Sequence, residues 1–150
     1  MLRTFDADRV NAICALPGMP VWCGTLDKPV DLSPAVLDPR NWFFVSDAGF
    51  FAAVWRGGGL YEIHMAFSPQ QRGLSAIRAL RAPMNEMFRG PADAMVAEIP
   101  ESNRACRHIA VRFGFERIAG TLGQWDGEDL IPYAISKLMW FRSRECLQSQ

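Results

Sequence analysis

Leu60-Tyr61-Glu62-Ile63-His64-Met65-Ala66-Phe67-Ser68-Pro69-Gln70-Gln71-Arg72-Gly73-Leu74-Ser75-Ala76-Ile77 changes its period partway along, and that change decides the fold. Over 60–67 the side chains alternate. Leu60, Glu62, His64 and Ala66 point one way, and Tyr61, Ile63, Met65 and Phe67 the other. This is a strand with one largely apolar face and one carrying two ionisable groups. Residues 68–73 form a polar turn. From Leu74 the apolar positions include Ile77, Leu80 and Met87, so 74–88 is a predicted helix, broken or kinked at Pro83.

Upstream, Trp42-Phe43-Phe44-Val45-Ser46 and 50–55 read as strands joined by Asp47-Ala48-Gly49, a hairpin. Arg56-Gly57-Gly58-Gly59 is the next turn. A first helix is expected over 6–16, capped by Asp6 or Asp8 and stopped by Pro17-Gly18. The stretch 19–40 is rich in Pro and Asp and poorly periodic. It reads as a long loop with one helical turn at 33–37, where Ser33 caps and Pro34 takes the first helical position. Downstream, 94–99 is a short apolar strand and 103–113 a helix closed by Gly114. Two further strands are expected over 116–122 and 131–140, separated by the turn-rich 123–129. Strands interleaved with helices imply a mixed sheet with helices packed on it, an α/β (α+β) fold.

Residues 67–77 resemble the acyl-CoA loop of the GNAT superfamily of N-acetyltransferases. There a hydrophobic residue, any residue and proline (here Phe67-Ser68-Pro69) precede an Arg/Gln-x-x-Gly-x-Gly/Ala pattern. Counted from Gln70, the small positions fall on Gly73 and Ser75; counted from Arg72, on Ser75 and Ile77. Asn103-Arg104-Ala105-Cys106-Arg107-His108-Ile109-Ala110-Val111-Arg112-Phe113-Gly114-Phe115 is similar to the superfamily's Asn-x-x-Ala-x-x-Leu-Tyr-x-x-x-Gly-Phe helix. Asn103, Ile109, Gly114 and Phe115 fit, and Cys106 stands in for the small Ala. The two segments occur in the superfamily's order, and the resemblance covers 42–119. The stretch from Arg9-Val10-Asn11-Ala12 to Pro20-Val21-Trp22 is similar to GNAT-like proteins encoded in phage and prophage genomes.

The resemblance implies a single GNAT-like domain over 1–150, with a mostly antiparallel central sheet and helices on both faces. It implies acetyl-CoA as co-substrate and an unidentified amine as acceptor. Backbone groups of Met65, Ala66 and Phe67 would hold the pantetheine arm and thioester. Arg72, Gly73, Leu74, Ser75 and Ala76 would cradle the pyrophosphate, since N–H groups at a helix N-terminus point at phosphates and small residues allow close approach. Asn103 would bond the pantetheine, with Cys106 beside it and Arg107 or Arg104 reaching the CoA phosphates. The amine must lose a proton to attack, which makes Glu62 the first base candidate and His64 the second. In the superfamily a tyrosine usually occupies the position of Ala110 and can protonate the leaving thiolate. Tyr61 or Tyr133 could substitute if the fold brought one near the sulfur. Ala110 and the degenerate loop keep a second reading open, a catalytically weak or inactive module for binding or assembly.

Composition narrows the field. The chain has 150 residues, 49% of them hydrophobic, which suits one soluble domain. Sixteen Lys plus Arg offset sixteen Asp plus Glu, so no net field draws in nucleic acid or anionic lipid. The start lacks a signal peptide, and no stretch is long and apolar enough to span a membrane, so a cytoplasmic location is expected. Cys14, Cys23, Cys106 and Cys146 form no CxxC pair and have no His cluster beside them. No metal is expected; Cys14 and Cys106 are expected to be buried, and disulfides are not expected. His108, Arg104, Arg107 and Arg112 read as a solvated helix face. A tail strand ending near Lys137-Leu138-Met139-Trp140 could pair with a second copy as a homodimer.

Overall fold

A computed structural model of the chain describes residues 1–24, 27–121 and 123–148. It packs as two compact units: Met1–Trp55 with Ile63–Glu86, and Arg56–Glu62 with the chain from Met87 onward.

In the first unit the aromatic runs make the sheet. β2 (Trp42–Ser46) and β3 (Gly49–Gly57) form the expected hairpin, paired from Trp42↔Ala53 to Ser46↔Gly49. Phe43, Phe44, Val45, Phe50 and Phe51 are all at most 2% exposed, so both faces of these strands are covered. β1 (Leu2–Thr4) adds to the edge of β2, antiparallel, and was not anticipated. With three residues it is too short to show a period. On the other side β3 neighbours β4 (Leu60–Phe67). α1 (Ala7–Cys14) starts at Asp6, whose carboxylate accepts from Arg9 N–H at 3.0 Å. It buries Val10, Ile13 and Cys14. A 3₁₀ turn, Val21–Cys23, follows.

The short α2 (Ser33–Val36) is capped differently from expectation. Ser33 is its first residue, not its cap, and Asp31 Oδ1 accepts from the Ser33 N–H at 2.9 Å and its hydroxyl at 2.6 Å. Asn11 donates to the same oxygen at 2.9 Å and accepts from Leu32 N–H at 2.9 Å, fastening α2 to α1. These bonds hold the Asp31 carboxyl below the usual carboxylate range. Just beyond, Asp38 accepts from the side chain and backbone of Arg40, which lowers it to about 2. Both groups are depressed in the folded state. Their contribution is therefore complete above the unfolded carboxylate value and disappears as pH falls toward 2. The acid limb of the melting temperature between about pH 4 and 2 should be shallower for Asp38→Asn than for the wild type; superimposable limbs would contradict this.

α3 (Leu74–Arg89) runs without a break through Pro83, against expectation. Pro83 is fully buried, as are Met87 and Phe88, and Ala76, Leu80 and Met84 are at most 3% exposed. Burial of this face outweighs the lost backbone bond at the proline.

In the second unit β8 (Glu128–Ser136) is the central element. It pairs antiparallel with β5 (Ala94–Pro100) over seven residues, from Ala94↔Ser136 to Pro100↔Leu130. β6 (Glu116–Arg117) lies on its other side, and β7 (Gln124–Trp125) folds back on its start. The first three residues of β4 pair with β5 in parallel, Leu60↔Ala94 to Glu62↔Val96. The fold is thus a mixed, mostly antiparallel sheet with helices.

The tail departs most from expectation. The strand expected over 116–122 stops at Arg117, and Leu122 lies outside the described residues. The strand expected over 131–140 ends at Ser136, where α5 (Lys137–Gln148) begins. Ser136 Oγ accepts from Met139 N–H at 3.2 Å as a side-chain cap. Residues 137–140 therefore offer no strand edge to a second copy. Trp140 instead stacks between Phe88 (5.5 Å between centroids) and Phe113 (6.0 Å) at the end of α4 (Arg104–Arg112).

Candidate functional site

Within the first unit the candidate residues 64–76 form one continuous path. β4 ends in Ala66 and Phe67, both buried, with His64 and Met65 half-buried. The chain then turns through Ser68, a 3₁₀ turn at Pro69–Gln71, an extended Arg72 and Gly73 into α3. The turn is fastened at each step. Ser68 N–H donates to Ala48 O at 2.8 Å, and Ser46 Oγ donates to Gln71 Oε1 at 2.7 Å. Arg72 Nε donates to Phe67 O at 3.2 Å while its Nη2 donates to Gly18 O. Gly18 also lies under Pro69: a Cβ there would sit 2.8 Å from Pro69 Cγ. Arg72, read from the sequence as a phosphate ligand, thus braces the turn with two of its donors.

Gly73 has φ +67°, and open space lies where its Cβ would be. A left-handed conformation is costly for other residues, so glycine is needed here. Its carbonyl accepts from Ile77 N–H at 3.2 Å, the first bond of α3. The N–H groups of Leu74, Ser75 and Ala76 are the donors an α-helix leaves unpaired at its start. No acidic side chain stands in this first turn, and Leu74 and Ser75 are exposed. The N–H groups of the exposed Leu74 and Ser75, with the positive end of the helix dipole, favour an anion here, while Ala76 is 1% exposed.

The two base candidates sit in different surroundings. Glu62 is buried in the second unit, where Arg56 Nε donates to its Oε2 at 2.6 Å and Arg56 Nη2 to the same oxygen. The face read as polar is therefore closed at Glu62. Arg56 had not been singled out. Its signal was an opposite charge across the Gly57-Gly58-Gly59 turn. His64 lies in the first unit with its ring 6.2 Å from that of Trp22, which meets Phe50 edge-on at 5.7 Å.

In the second unit, Asn103 caps α4: its Oδ1 accepts from Cys106 N–H at 3.1 Å. Cys106 is half-buried, less covered than expected, because it sits at the rim of the face that buries Ala110. Arg107 is half-buried, and its Nε is enclosed without a hydrogen-bond partner; Arg104, His108 and Arg112 are exposed. Tyr61 and Tyr133 are buried at 4% and 6% exposure. Among the described residues no three His, Cys, Asp or Glu side chains cluster as a metal would require, and no helix is long and apolar enough to cross a membrane.

No family model and no curated protein matches the sequence. Solved structures do match in fold. A GNAT-family protein from Chromobacterium violaceum is 22% identical with a TM-score of 0.71, over 91% of this chain and 86% of that one. A dodecameric spermidine N-acetyltransferase from Vibrio cholerae is 12% identical with a TM-score of 0.69, over 92% of each chain. YncA from Salmonella typhimurium, solved with its cofactor acetyl-CoA, is 19% identical with a TM-score of 0.65, over 90% of this chain and 92% of that one. At these identities the likeness concerns the fold, which is that of the GNAT acyltransferases.

Proposed function

We propose that this chain is an N-acetyltransferase that moves an acetyl group from acetyl-CoA to an amine. The carrying observation is the start of α3, where the left-handed Gly73 leads into the exposed Leu74 and Ser75 and the first turn holds no acidic side chain. A helix start of this kind would suit a diphosphate. It favours the register counted from Gln70, with Gly73 and Ser75 on the small positions. The backbone of Met65, Ala66 and Phe67 would carry the pantetheine arm and thioester, and the resemblance gives Asn103, Cys106 and Arg107 a share in the cofactor as well.

The amine nitrogen attacks the thioester carbonyl carbon. The oxygen gathers negative charge, and the C–S bond then breaks with CoA leaving as the thiolate. The attacking nitrogen must shed a proton, and we assign its acceptor to His64, directly or through water. Glu62 is the weaker base because protonating it would forfeit the charge-assisted bonds from Arg56.

Calorimetric titration with acetyl-CoA tests this reading. Saturable binding is expected, weakened at least about tenfold in Gly73→Val, while His64→Ala keeps binding and loses roughly a hundredfold in turnover once an acceptor is found. Absence of saturable binding would sink the enzyme reading. It would leave the second one, a binding or assembly module, which the buried Ala110 favours because it offers no hydroxyl to the leaving thiolate.

A further inference from the structure

Trp22 stands in the middle of the 3₁₀ turn Val21–Cys23, and two ring contacts orient it. It meets Phe50, which is 1% exposed, edge-on at 5.7 Å, and the His64 ring at 6.2 Å. Cys23, fully buried, anchors the turn: its N–H donates to Pro20 O and its carbonyl accepts from Val30 N–H, both at 2.9 Å. Trp22 itself is half-buried, and Val21 beside it is 76% exposed. The indole is thus held on the core, keeps part of its surface accessible, and borders the residue assigned as proton acceptor.

The chain around the indole is uncharged. From Ala15 to Gly24 there is no Asp, Glu, Lys or Arg. The same segment is fastened to the turn before α3, where Gly18 accepts from Arg72. Asp6, Asp31 and Asp38 of this unit are each bonded to groups close by in the chain: Arg9 N–H, Ser33 and Arg40.

We propose, resting on the acetyltransferase reading, that Trp22 sets the acceptor class: a monoamine whose nitrogen is joined by a short alkyl chain to an aromatic ring. A nitrogen giving its proton to the imidazole stands about 3 Å from it, so the substituent on that nitrogen lies within reach of the indole. An aromatic ring gains more from stacking on the indole than an alkyl chain does, and an indole already held by Phe50 loses little freedom on binding. A polyamine brings further ammonium groups that need carboxylate partners once they leave water, and this segment supplies none.

The amine arrives as an ammonium and loses one proton to solvent. Its nitrogen then bonds to the thioester carbon and its second proton passes to His64. The C–S bond breaks, CoA leaves as the thiolate, and the product is a neutral amide.

The test follows release of the CoA thiol by the full chain at saturating acetyl-CoA, with phenethylamine, butylamine and spermidine as probes. kcat/KM should be about tenfold higher for phenethylamine than for either of the others. In Trp22→Leu the preference over butylamine should shrink to less than about twofold, through KM rather than kcat. Trp22→Phe keeps an aromatic face and should retain most of the preference. A merely structural role for Trp22 would lower both amines together and leave their ratio intact. Calorimetric titration with acetyl-CoA accompanies each protein. If acetyl-CoA binds but phenethylamine is not acetylated, is not preferred, or keeps its preference in Trp22→Leu, the acceptor proposal is overturned and the acetyltransferase reading is untouched. If acetyl-CoA does not bind, that reading falls and takes the proposal with it.

Discussion

Trp140→Ala is expected to be among the most damaging single substitutions in the chain, costing about 3–5 kcal/mol. Its ring is 3% exposed and stacked on both Phe88 and Phe113. Truncation removes both aromatic contacts and leaves a void that rigid neighbours cannot fill. The melting temperature should drop by roughly 10 °C. A drop of only a degree or two would mean that this part of the second unit repacks, and that α5 does not depend on its tryptophan. Trp140→Phe, which keeps an aromatic face, should recover about half of the loss.

Gly49→Val is the second large effect. A Cβ at Gly49 would stand 2.4 Å from Phe67 Cδ1 and 2.6 Å from the Ala66 carbonyl oxygen. The ring could swing aside, but the carbonyl belongs to the backbone of β4, so the strand itself must move. The expected cost is about 2–3 kcal/mol. The displaced residues are those proposed to hold the thioester. Acetyl-CoA affinity, measured at a temperature where the variant is still folded, should therefore fall further than in an equally destabilised variant of the second unit. Equal losses would detach Ala66 and Phe67 from the cofactor.

Much of the frame is legible in the sequence because its signals are local. The alternation over 60–67 and the change of period at Gly73 match β4 and α3 to within a residue. Asn103 with Gly114 brackets α4 in the same way. The failures come from long-range terms. β1 exists only because β2 offers it an edge, and α3 survives Pro83 because its buried face outweighs one missing bond. In the tail, Ile131 to Ile135 set a strand period that the apolar Leu138-Met139-Trp140 prolong in sequence but not in structure. The overlooked signal was Ser136, a capping residue placed where the pattern could turn helical. At the site, the sequence identified Glu62 but not Arg56, which alters its chemistry, because the pairing needs the hairpin to close.

Asn103 spends its side-chain oxygen on the cap of α4. Whatever approaches this residue from outside meets the amide as a donor. Aspartate or serine could take over the capping while changing what is presented, and each lies a single-base change from asparagine. The helix and a ligand contact here are therefore separable under drift. A lineage released from the need for that contact could surrender it at this codon and keep its fold, whereas one under selection for it has little latitude beyond asparagine.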